Sequence, residues 1–279
     1  MISFRDNSLS TNFLTEDDIR KTCPFAFKTT PTNPSVSDKY VQATTIDVVN
    51  DMEKLGWKPV LAKQCRGKKN SKGIRSFHMI ALQNPNVKVL DTNGNIEGYP
   101  RIILTNSHDG FNSFKFMCGF YKIICSNGLV IADEEFSKLS IRHINYNFEE
   151  LVKTVRNITE NLPNFVSSVN NMKNTILNEN EKYELAKTFY IIKKDISDKE
   201  KIDSKTIFEI LKPNREEDNF NDLWSIYNTC QENIIKGNFY AINKKNKLTK
   251  QRAVKSFKKD IEYNAKFWEI ANQYVKIAS

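Results

Sequence analysis

Asn106, Ser107, His108 and Asp109 form the run in this 279-residue chain whose residue types most invite a chemical reading. Imidazole and carboxylate groups bind divalent metals and relay protons. A metal-dependent nuclease or an anti-restriction factor is the enzyme class that such a pair would serve. On extended backbone, however, adjacent side chains point to opposite faces, so His108 and Asp109 do not converge unaided. Asp109-Gly110 is accounted for as a turn, because Gly takes positive φ without strain. The sequence has no GxxxxGK[ST] phosphate loop, no HExxH and no GxSxG elbow. Cys23, Cys65, Cys118, Cys125 and Cys230 are odd in number and lack CxxC spacing, which predicts reduced, partly buried thiols rather than disulfides or a zinc site. Cys125 would need a depressed pKa and a base to act as a nucleophile. His78, on a strand face with Ile74, Ile80 and Leu82, reads as a core or interface histidine. No catalytic residue, metal or cofactor is expected.

Charge points elsewhere. Lys and Arg number 42 against 33 Asp and Glu, a formal net charge of +9, and such an excess favours a polyanionic partner. Two segments concentrate it. KQCRGKKNSKGIR, from Lys63 to Arg75, has no acid and offers Arg66, Lys68, Lys69, Lys72 and Arg75 on a hairpin tip that could lie along a nucleic-acid backbone. From Lys244 to Lys276 ten Lys or Arg face only Asp260, Glu262 and Glu269, with Lys250, Arg252, Lys255, Lys258 and Lys259 in its first half. Tyr121 supplies a ring on which a base could stack. The competing explanation is a solvated surface enriched in lysine and asparagine.

These residues need elements to position them. Between Tyr99 and Ala132, Phe114, Phe116, Cys118 and Phe120 alternate with Lys115, Met117, Gly119 and Tyr121, a strand's period of two. Ile102 to Leu104 and Leu129 to Ile131 flank it as short apolar strands, with turns at Asp109-Gly110 and Asn127-Gly128. Upstream, Thr15 with Asp18 and Thr44 with Asp47 are capping-box spacings, and Ile46, Val49, Met52 and Leu55 stripe the second helix, which Gly56 ends. Strands are predicted from Trp57 to Ala62 and from Ile74 to Leu82. Downstream the period changes. Asn147 to Leu177 is helical, with Asn147 as cap and Pro163 kinking or dividing it. Further helices are predicted over Glu181 to Lys194, Ser204 to Leu211, Phe220 to Ile235 and Thr249 to Val275, the last striped by Val254, Phe257, Ile261, Ala265 and Trp268. The fold class is α+β, an antiparallel β-meander core with an N-terminal helix and a helical C-terminal half. The expected domains are an arm over 1–38, the α+β core over 39–148 and the helical region over 149–279.

The order of Gly56-Trp57, a basic hairpin followed by FHMIAL, then ILTNSHDG, then FKFMCGFYKIICSNGLVI, with DLWSIYNTCQENIIKGNF at Asp222 to Phe239, resembles the phage/plasmid-like protein family catalogued as domain of unknown function 932. The resemblance spans roughly Lys39 to Tyr274, and helical insertions around Asn170 to Lys205 depart from it. It implies a phage, prophage or plasmid source and no settled activity. With the charge pattern, the expected function is nucleic-acid binding: DNA, single-stranded favoured, for annealing in recombination or replication, by a homo-oligomer as in annealing proteins. The alternative is a non-enzymatic phage structural, cargo or interaction protein. No run approaches the eighteen or so apolar residues of a membrane span, and the N-terminus lacks a signal-peptide layout. The expected location is the bacterial host cytoplasm or a virion interior, with no membrane partner.

Overall fold

A computed structural model of the chain describes residues 13–29, 44–65, 77–90, 96–107, 114–122, 128–131, 140–141, 147–198, 200–216, 219–243 and 246–275. The chain divides into two compact units, Met1–Leu162 and Pro163–Ser279.

In the first unit, side chains close the helix starts as the spacings predict. Thr15 caps α1 (Glu16–Thr22) and Thr44 caps α2 (Thr45–Lys54), each in a reciprocal capping box with the acid three residues on. Gly56, at φ 86°, turns the chain out of α2. Among the described residues seven antiparallel strands form one sheet: β1 (Lys58–Gln64), β2 (His78–Gln83), β3 (Val89–Leu90), β4 (Ile96–Asn106), β5 (Phe114–Lys122), β6 (Gly128–Ile131) and β7 (Ser140–Ile141). Their order is β1-β2-β4-β5-β6, with β3 beside β4 and β7 beside β5. The predicted meander is therefore present. Register puts Ala62, Ile80, Leu104 and Phe116 in one row across four strands, and cross-strand neighbours share a face. That face joins Val48, Val49 and Met52 of α2 and Trp57 in a single core. Lys115, between Phe114 and Phe116, is exposed as the alternation requires.

α3 (Phe148–Asn174) starts on Asn147, whose Oδ1 accepts from the Glu149 N–H at 2.8 Å. Pro163 does not divide it. The helix runs unbroken, because Leu151, Val155 and Ile158 are buried in the first unit's core and Phe165, Val169 and Met172 are buried beyond the proline. Packing of that extent outweighs the roughly 3 kcal/mol that an interior proline costs.

The second unit is helical. α4 (Glu179–Lys194), α5 (Ser204–Leu211) and α7 (Phe257–Gln273) pack with α6 (Leu223–Lys236), in which Leu223 through Ile235 are all buried. A helix buried all round is a central element. Phe189 stacks on Phe267 at 4.2 Å between ring centroids, and Trp268 meets Trp224 and Tyr227 edge-on. Some of the buried polar residues of α6 carry their own partners, while among the described residues the Tyr227 hydroxyl and Thr229 Oγ1 have none. Asn233 Nδ2 donates to the Ile210 and Lys212 carbonyls at the end of α5, each at 2.9 Å. Glu232 is held by Arg215 and Lys236.

The helix predicted from Thr249 is shorter than expected. Between α6 and α7 lies a two-stranded ribbon, β8 (Tyr240–Ile242) and β9 (Leu248–Lys250), followed by non-helical backbone to the Ser256 cap. Val254 continued the apolar stripe in sequence, yet its N–H donates to the Ile235 carbonyl of α6 rather than within α7.

Candidate nucleic-acid interface

Of the predicted binding residues, Arg66, Lys68, Lys69, Lys72 and Arg75 lie outside the described residues, as do His108 and Asp109. Tyr121 lies in β5, opposite Tyr99 in β4 and Gly128 in β6. The remaining five lie in the second unit, three of them on backbone that is not the predicted helix and two at that helix's later start. Lys250 ends β9, Arg252 and Lys255 sit on the stretch that follows, and Lys258 and Lys259 enter the first turn of α7. With Lys247 they are all exposed.

Several contacts fix that stretch. The Gln251 N–H donates to the Phe239 carbonyl at 3.0 Å and the Val254 N–H to the Ile235 carbonyl at 2.9 Å. From α4, Lys193 Nζ donates to the Ile234 carbonyl at 2.6 Å and the Arg252 carbonyl at 3.1 Å, and Lys194 Nζ to Gln251 Oε1 at 2.7 Å. Burial, then the charge of Lys194, lowers the Lys193 ammonium to about 8. Gly237, at φ 65°, caps α6 in the left-handed region. Its α-carbon lies so close to residues 251–253 that a β-carbon would meet the Gln251 oxygen at 2.6 Å.

Along the chain the charges of this stretch have one sign. From Lys244 to Lys259 the sequence has no acid. The first one after it, Asp260, is buried, its Oδ1 accepting from Asn264 Nδ2 at 2.8 Å. Lys258 and Lys259 add positive charge to the positive end of the α7 dipole, an arrangement that costs helix stability and strengthens the local field. Such a strip attracts an anionic chain.

At one end of the first unit's sheet, Gln64, His78 and Asn106 are neighbours in a row across β1, β2 and β4. His78 is wholly buried, as its strand face predicts. Its Nε2 lies 2.8 Å from Thr45 Oγ1, which also accepts from Asn106 Nδ2 at 2.9 Å. Among the described residues, Asn106 Oδ1 has no partner. This joins α2 to two strands and makes His78 a core residue. Among the described residues, no three of His, Cys, Asp or Glu are grouped to hold a metal. Cys23 and Cys230 are free, buried thiols. Burial pushes Cys23 up to about 12 and raises Cys230 further, so neither is an activated nucleophile.

Sequence reasoning missed Tyr240, which sits opposite Lys250 in the ribbon. The available signal was the turn-forming types Asn243 and Asn246 between Tyr240-Ala241-Ile242 and Leu248-Thr249, runs too short to establish alternation.

The molecule is thus an α+β protein with an antiparallel sheet, a helical C-terminal half and a cationic strip in that half. A family model, Domain of unknown function (DUF932), matches residues 34–268, and the chain belongs to that family. It is similar to two proteins of Escherichia coli strain K12, UPF0380 protein YfjQ and UPF0380 protein YafZ. Each is 27% identical over 260 residues, covering 92% of this chain and 90% of the relative. No solved structure matches the chain. No helix among the described residues is long and apolar enough to cross a membrane.

Proposed function

We propose that this chain binds nucleic acid, with single-stranded DNA favoured, and serves annealing in recombination or replication. The observation that carries the reading is the strip from Lys247 to Lys259, an acid-free run of exposed cations on backbone pinned to α4 and α6. Such a track meets phosphates at fixed spacing without ordering a flexible tail first, which limits the entropy lost on binding. A single strip offers few phosphate contacts, so the working form is a homo-oligomer that repeats it. The reading places the chain in the cytoplasm of a bacterial host, or inside a phage particle, in the service of a mobile element.

Fluorescence anisotropy with labelled single- and double-stranded DNA at several salt concentrations, with mass photometry on the same samples, tests it. Tighter binding to the single strand, weakening steeply with salt, together with a defined oligomer, is expected. Absence of binding at low salt overturns the proposal and leaves a structural or interaction protein of a phage particle as the reading to pursue.

A further inference from the structure

Resting on the nucleic-acid reading, we infer that the outer face of the β8–β9 ribbon is a base-stacking platform, with Tyr240 taking one base of a single strand and Lys250 the adjoining phosphate. The register pairs Tyr240 with Lys250, Ala241 with Thr249 and Ile242 with Leu248. Side chains alternate along a strand and cross-strand partners share a face, so Tyr240, Ile242, Leu248 and Lys250 stand together. Ala241, on the other face, is 2% exposed. α5 packs against β8, where Thr206 Oγ1 accepts from the Ile242 N–H at 3.1 Å.

The outward face keeps its large groups in water. Tyr240 is 42% exposed and Leu248 53%. Among the described residues no hydrogen bond or ring contact engages Tyr240, although nine aromatic pairs and several cation–ring contacts occupy other rings of the chain. An exposed ring beside a lysine, with Arg252 two residues further along pinned backbone, has the make-up of a single-strand site: a π-face for any base and cations spaced for phosphates. A duplex hides its base faces, so the platform selects the single strand. A second protein copy would suit Leu248 and Tyr240 but not the exposed cations Lys250 and Arg252 that adjoin them.

The test measures wild type, Tyr240→Ala and Tyr240→Phe on oligothymidylate and on an abasic oligomer of equal length, across salt concentrations, with circular dichroism and mass photometry on each variant. Tyr240→Ala is expected to weaken oligothymidylate binding on the order of tenfold, with the salt slope and the abasic affinity unchanged and Tyr240→Phe restoring the wild-type value. Equal losses on both ligands, no loss on either, or a change in oligomer mass overturns the platform. Wild type binding neither ligand at low salt overturns the parent reading; wild-type binding that Tyr240→Ala leaves intact removes only this inference.

Discussion

Gly237 and Arg252 are in backbone contact: a β-carbon on Gly237 would stand 2.6 Å from the Arg252 carbonyl carbon. The contact ties the end of α6 to the middle of the cationic strip. Gly237 also needs its left-handed φ of 65° to end the helix. Gly237→Ala is therefore expected to cost about 2–4 kcal/mol, combining left-handed strain with a clash against backbone that cannot rotate away. Urea unfolding measures it, and an unchanged midpoint would mean that residues 251–253 do not pack there.

Lys193 reports on the same tie through pH. Its ammonium sits near 8 in the folded chain against an ordinary 10.5, so between those values the unfolded state holds the proton and the folded state does not. Stability from this group accordingly rises with pH across that window. The neutral amine still has two N–H bonds for the Ile234 and Arg252 carbonyls, so the tie survives deprotonation. Relative to Lys193→Met, wild type should gain stability from pH 8 to 9 by less than about 1.4 kcal/mol. A difference independent of pH would place the amine in solvent.

Thr45 serves two buried groups with one hydroxyl. Thr45→Val keeps the shape but leaves His78 Nε2 and the Asn106 amide without it, which should cost about 2–5 kcal/mol. Thr45→Ser should recover most of that. Equal losses for Val and Ser in urea unfolding would assign the effect to the lost methyl.

Local chemistry was legible and long-range pairing was not. The Thr15 and Thr44 caps operate across three residues, so spacing alone reveals them, and the alternation from Phe114 to Tyr121 is long enough to declare a strand. The Thr45 contacts span 33 and 61 residues, beyond any periodicity. His78 could be read as buried, but not which hydroxyl met it. The ribbon failed for another reason. Strands of three residues carry little alternation, while Val254 prolonged a genuine helical stripe by one turn. Hydrogen bonds to Phe239 and Ile235, invisible in sequence, decided for non-helical backbone. Of the five predicted cations described, Lys250, Arg252 and Lys255 lie on non-helical backbone where a helix was expected, and Lys258 and Lys259 lie on the helix.

That difference of element alters what neutralising them should do. On a helix, Lys250, Arg252 and Lys255 would fan around the axis; on backbone that is not helical they follow one another along a track. Lys250→Gln, Arg252→Gln and Lys255→Gln together are expected to reduce the slope of log affinity against log salt by about 2 on single-stranded DNA, roughly 0.7 per phosphate released. Stability should hold, since these side chains are exposed and the strip's anchors are backbone groups, Lys193 and Lys194. A slope unchanged in the triple variant, with the wild type still binding, would move the phosphate contacts off this strip.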